Sequence, residues 1–115
     1  MARRLEIRVG RAGDALDRFE AGWNRLSEGR KLAELRVLTL EDLPRLLATL
    51  TPARWTLLER LRADGPLSIY QLAKRLARDY KNVHTDVSRL VELGVVERGE
   101  GGRVSVPWDV VRAEL

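Results

Sequence analysis

The chain has 115 residues, 44% hydrophobic and 33% charged, with 21 Lys and Arg against 17 Asp and Glu, no cysteine and one histidine. That is the length of a single domain able to bury an ordinary core, and the missing cysteine excludes disulfides, thiolate metal sites and a Cys nucleophile. His84 is the only imidazole, so a multi-histidine metal site is excluded and a Ser-His-Asp arrangement would have to use that one ring; neither an enzyme nor a cofactor or metal is expected.

A net charge of +4 and a pI near 10.1 point to an acidic partner, although 18 of the 21 basic residues are arginine, a bias that a GC-rich genome also produces. Ten basic residues oppose eight acidic ones in 1–50, and eleven oppose nine in 51–115. Any polyanion site must therefore be a local patch and not a basic tail. No run of about 18 apolar residues offers a membrane span, and MARRLEIRVG breaks its apolar positions with charges instead of building a signal-peptide core. A soluble cytoplasmic protein with no membrane partner is expected.

Leu5, Ile7 and Val9 alternate with Glu6 and Arg8, the period of a half-buried strand over 4–9. After Gly10 and Gly13, Asp14 can cap a helix over about 13–28, with Leu16, Phe19, Trp23 and Leu26 at helical spacing before Gly29. Leu35 to Leu40 fits a second strand or a helix start. Thr39 and Asp42 have the spacing of a capping box for a short helix over 41–49, where Pro44 falls near the first turn. Thr51-Pro52 opens a helix over 52–63, with Trp55, Leu58 and Leu61 as its stripe and Gly65-Pro66 as its stop.

Ser68 can cap a helix over 69–77 with Ile69, Leu72, Ala73 and Leu76 inward. A further helix over 80–93 turns Val83, Val87, Leu90 and Val91 inward and ends at Gly94. Two helices about three residues apart are the sequence form of a helix-turn-helix. Val95–Arg98 and Arg103–Val106, separated by Gly99-Glu100-Gly101-Gly102, read as a β-hairpin. The tail WDVVRAEL alternates as a strand does, and a helical turn from Asp109 fits it nearly as well.

Three helices followed at once by a hairpin is the order of a winged helix-turn-helix. GPLSIYQLAKRLARDYKNVHTDVSRLVELGVVERGEGGRVSVPWD, above all RDYKNVHTDVSRLVELG and the VPWD after the hairpin, resembles the small winged-helix regulators of bacteria and archaea related to MarR-type repressors. The resemblance covers residues 51–109. Some members of that group are similar to antitoxins of the TumA kind, paired with a TumE-type toxin, so the resemblance also implies a toxin as a protein partner. The expected architecture is α+β and mostly helical: a strand-helix extension over 1–50, for dimerisation or partner contact, and a winged helix-turn-helix over 51–115.

The helix over 80–93 carries the candidate chemistry. At about 100° per residue, Lys81, Thr85, Ser88 and Arg89 lie opposite the apolar stripe with Asn82 beside them. These side chains can donate to guanine, pair with adenine or touch the thymine methyl in a major groove; the plainer alternative is a solvated helix face. Residues 70–89 hold Lys74, Arg75, Arg78, Lys81 and Arg89 against Asp79 and Asp86, the patch expected to face phosphates. Ser68 opens the first of the two helices and is included with them. The Tyr80 hydroxyl can reach a phosphate, or its ring packs on Trp55 or Leu76. His84 falls on the flank of the helix, partly buried or beside a phosphate. Arg98 and Arg103 flank the hairpin turn and could follow the backbone or enter the minor groove, against which Glu97 and Glu100 argue. Trp108 is expected to be core or interface, since single-strand binding needs several aromatics and the chain has six.

Two functions follow. The first is a sequence-specific double-stranded DNA-binding transcriptional regulator, acting as a homodimer. The alternative is an antitoxin-type interaction module that neutralises a toxin through residues 1–50.

Overall fold

The computed structural model describes residues 3–10 and 34–114, so the helix expected over 13–28 lies outside the described residues. The chain is α+β, and its contacts divide it into two units, Met1–Thr49 with Trp108–Leu115, and Leu50–Pro107.

The first unit is built on three parallel strands, β1 (Arg3–Val9), β2 (Glu34–Leu40) and β6 (Val110–Glu114), in the order β2-β1-β6. Alternation in β1 does what period two requires: Leu5 and Ile7 of the central strand are fully buried, whereas Glu6 and Arg8 point to the opposite face. Arg8 pairs with Glu6 and reaches Glu114 of β6 at 3.1 Å. The start of β1 is closed by a reciprocal pair of bonds: the Arg3 N–H donates to the Asp109 carboxylate at 2.6 Å, and the Asp109 N–H donates to the Arg3 carbonyl at 2.8 Å. The Arg3 guanidinium also lies 4.8 Å from the ring centre of the buried Trp108, a cation–π contact.

Helix α1 (Leu43–Thr49) packs on β1 and β2. Its cap differs from the expected one. Asp42 immediately precedes the helix and its Oδ1 accepts from Arg45 N at 2.9 Å, so the carboxylate is the cap. Thr39 sits within β2 with its hydroxyl buried and unbonded. Strand pairing with β1 holds residues 39 and 40 extended, which moves the helix start from 41 to 43.

The second unit contains helices α2 (Pro52–Asp64), α3 (Ile69–Leu76) and α4 (Tyr80–Glu92), and a small antiparallel sheet in the order β3-β5-β4, with β3 Leu67–Ser68, β4 Glu97–Arg98 and β5 Arg103–Ser105. Leu57, Leu58 and Leu61 of α2, Leu72 of α3, Val83, Val87 and Leu90 of α4 and Val104 of β5 form its core, while Trp55 is half-buried. Thr51 caps α2 through its hydroxyl, which accepts from Arg54 N, and Pro52 occupies the first turn, where its missing N–H costs nothing.

Val95 and Val96, expected in the first hairpin strand, are buried ahead of it, leaving only Glu97 and Arg98 paired with β5. A single 3-10 turn, Glu100–Gly102, forms the hairpin tip. In the tail after Pro107 residues 110–114 form strand β6, and its pairing with β1 places it in the first unit, whereas a boundary at residue 51 assigns it to the helices. Its partner is more than a hundred residues away in the chain, beyond the reach of any local pattern.

Candidate nucleic-acid interface

Local signals place α3 and α4 one after the other. Ser68 and Gln71 form a reciprocal capping box, with the Ser68 hydroxyl accepting from Gln71 N and Gln71 Oε1 accepting from Ser68 N, both at 3.1 Å. Helix α3 ends when Ala77 turns left-handed at φ 52, while the N–H groups of Ala77 and Arg78 donate to the Lys74 and Ala73 carbonyls. This is a Schellman ending with alanine where glycine is usual. Asp79 then caps α4, its Oδ2 accepting from Lys81 N and Asn82 N at 3.0 and 3.3 Å. Helix α4 ends in a second Schellman motif on Gly94 at φ 79, with Gly94 N donating to Val91 and Val95 N to Leu90. The turn between the two helices is therefore residues 77–79, fixed at both ends by side-chain and backbone hydrogen bonds.

This arrangement sorts the side chains of α4. Val83, Val87 and Leu90 are completely buried. Tyr80, Lys81, Asn82, His84, Thr85 and Arg89 are exposed, and Ser88 is half-buried. Tyr80, Lys81, His84 and Thr85 line an open depression of about 380 Å³. The Tyr80 ring stands against His84 with centroids 6.0 Å apart and is 47% exposed, and His84 is more exposed than its flank position suggests. The Thr85 hydroxyl donates to the Lys81 carbonyl at 3.0 Å, leaving its methyl and its oxygen lone pairs to face outward.

The basic residues divide by partner. Lys81 and Arg103 make no ion pair with a described residue. Lys74 lies 5.1 Å from the centre of the exposed Tyr70 ring. Arg75 reaches Asp64 at 3.1 Å and Arg89 reaches Glu92 at 3.1 Å; both arginine side chains are about half exposed, so solvent competes with each pair and a stronger anion can replace it. Arg98 Nη2 lies 3.5 Å from the Ser88 hydroxyl, which ties the base of the hairpin to α4.

Arg78 differs from the expectation that it faces phosphate. Its Nη2 donates to Asp86 Oδ2 at 2.8 Å, while Arg54 Nε donates to Asp86 Oδ1 at 3.0 Å. All three side chains are largely sheltered from solvent. One carboxylate thus ties α2, the turn and α4 together, and the charge count along residues 70–89 could not show it because Arg54 lies outside that window.

Among the described residues, no three His, Cys, Asp or Glu are grouped so as to hold a metal, and no helix is long and apolar enough to cross a membrane. No curated protein and no solved structure matches the chain significantly. The HVO_A0114 family model matches residues 49–113, a span that holds α2, α3, α4, the hairpin and nearly all of β6. With more than half of its length covered, the chain belongs to the HVO_A0114 family.

Proposed function

We propose that residues 50–107 are a winged helix-turn-helix, and that the protein is a sequence-specific duplex-DNA-binding regulator of transcription, related to MarR-like repressors and acting in the cytoplasm as a homodimer. The observation that carries this reading is the sorted surface of α4: Lys81, Asn82, Thr85 and Arg89 are exposed on a helix whose position is fixed by caps at both ends. Such a helix fits the major groove, where Arg reads guanine, Asn reads adenine and the Thr methyl meets that of thymine. Lys74, Arg75 and Lys81 supply phosphate contacts that set register without reading sequence. Two-fold pairing follows from the few base pairs one such helix spans.

Gel shifts on the DNA upstream of the protein's own gene test the assignment. Arg89→Ala or Thr85→Val is expected to cost about 1–3 kcal/mol at the cognate site and to relax preference at particular base pairs. Lys74→Ala and Arg75→Ala should weaken binding to all sequences alike and lower the salt slope by about one each. Unaltered sequence preference in the Arg89 and Thr85 variants would contradict the assignment.

A second reading, an antitoxin-type module that binds a toxin, is favoured by a different surface. Leu35, Leu43 and Leu47 of the first unit are exposed, Leu47 at 61%. Exposed apolar groups close in sequence suit a protein partner. Under this reading Leu47→Glu abolishes complex formation with a toxin encoded beside this gene, while the α4 variants do not.

A further inference from the structure

An aspartate on the helix proposed to enter the groove needs an explanation, because its charge repels phosphate. Asp86 lies one turn beyond Asn82 on α4, at the border between the exposed and buried faces. Each of its oxygens is occupied, Oδ1 by Arg54 at 3.0 Å and Oδ2 by Arg78 at 2.8 Å. Arg78 belongs to the turn just ahead of α4 and keeps 28% of its side chain exposed, against 14% for Asp86. A guanidinium at the edge of the surface is thus turned inward onto a carboxylate. Its Nη1 is buried without a hydrogen-bond partner, so this inward position is reached with one donor unsatisfied.

Resting on the DNA-binding reading above, we propose that Asp86 is a specificity-determining residue: it holds Arg78 away from the phosphate backbone and anchors α4 to α2 through Arg54. The physical basis is the division of labour in DNA recognition. Phosphate contacts add affinity for every sequence, and base contacts add it for one. A further free arginine beside the reading helix would raise non-specific binding and dilute discrimination. Asp86 cancels that charge and also removes its own repulsion from the groove. It acts through its two arginines and needs no contact with the DNA.

The test compares the wild type with Asp86→Asn, Asp86→Glu, Arg78→Ala and the double variant Asp86→Asn/Arg78→Ala. Duplexes from the DNA upstream of the gene, and scrambled versions of them, are titrated between 50 and 300 mM salt, and each protein is also eluted from a heparin column. Asp86→Asn should bind scrambled duplex about fivefold more tightly at 100 mM salt, steepen the salt slope by about one and lower the ratio of cognate to scrambled affinity. It should leave heparin at higher salt. Asp86→Glu keeps the charge and should keep the wild-type slope. Arg78→Ala should leave the slope unchanged, and in the double variant it should abolish the gain.

Two results would overturn the proposal. One is a drop of about one in slope for Arg78→Ala alone, which would place Arg78 on phosphate in the wild type. The other is an Asp86→Asn protein with a lower melting temperature but wild-type slope and heparin elution, which would make Asp86 a strut and nothing more. If no protein binds any duplex, the DNA-binding reading fails by itself, and the heparin comparison still decides whether Asp86 masks Arg78.

Discussion

The two units of this chain are held by different kinds of information. In Leu50–Pro107 nearly every boundary is set by residues within four positions of it: Thr51 and Pro52 start α2, the Ser68–Gln71 box starts α3, Asp79 starts α4 and Gly94 ends it. In the other unit, β1 is flanked by parallel partners, one of them the C-terminal strand, and parallel strands always need a long connection. A fold whose ends are locally marked is legible from its sequence. One whose strands meet across the length of the chain shows only that strands exist.

The largest expected effects test whether both units depend equally on a buried centre. Ile7→Ala in β1 and Leu90→Ala in α4 each remove a side chain with no solvent exposure. Each should cost about 2–5 kcal/mol in chemical denaturation. A loss below about 1 kcal/mol for Ile7→Ala would show that the parallel sheet contributes little.

Smaller effects sharpen the contrast between local and distant information. Asp79→Ala removes a purely local cap and should cost about 1 kcal/mol. Asp109→Ala removes the acceptor of the Arg3 N–H, a bond between residues more than a hundred positions apart, and should cost about 1 kcal/mol, below the usual figure for a charged acceptor because solvent reaches the bond. Urea melts followed by circular dichroism would measure both. The smallest change should be a gain. Ala77→Gly relieves a left-handed alanine and should stabilise the protein by about 0.5–1 kcal/mol, and a loss of stability would mean that the Ala77 methyl makes a contact outweighing its backbone strain.

The same division governs how much of the site was legible. The exposed row Lys81, Asn82, Thr85 and Arg89 followed from helical periodicity alone, because the apolar residues Val83, Val87 and Leu90 fix which way the helix turns. Trp108 reads as core or interface from the sequence, and it is buried, while the pairing of the strand that follows it with β1 is not legible. Two features could not be read. The Thr39–Asp42 box fails because pairing with β1 keeps Leu40, the residue that would open the helix after a Thr39 cap, extended, a constraint from a strand some thirty residues away. Arg78 counts with the phosphate-facing cations because a tally of charges along the chain does not show which way a guanidinium turns; here it turns onto Asp86, eight residues on, whose other oxygen is held by Arg54 of another helix. In both cases a contact made in the fold overrides a pattern read along the sequence.

The central claim is that the exposed face of α4 and its neighbouring cations engage duplex DNA. Equilibrium binding to the DNA upstream of the gene, measured by fluorescence anisotropy from 50 to 200 mM salt, tests it most directly. If a dimer neutralises about six phosphates, affinity should fall roughly a thousandfold over that range, with light scattering giving a dimer mass on the DNA. Binding that is undetectable at 50 mM salt, or unchanged at 200 mM, would contradict the account.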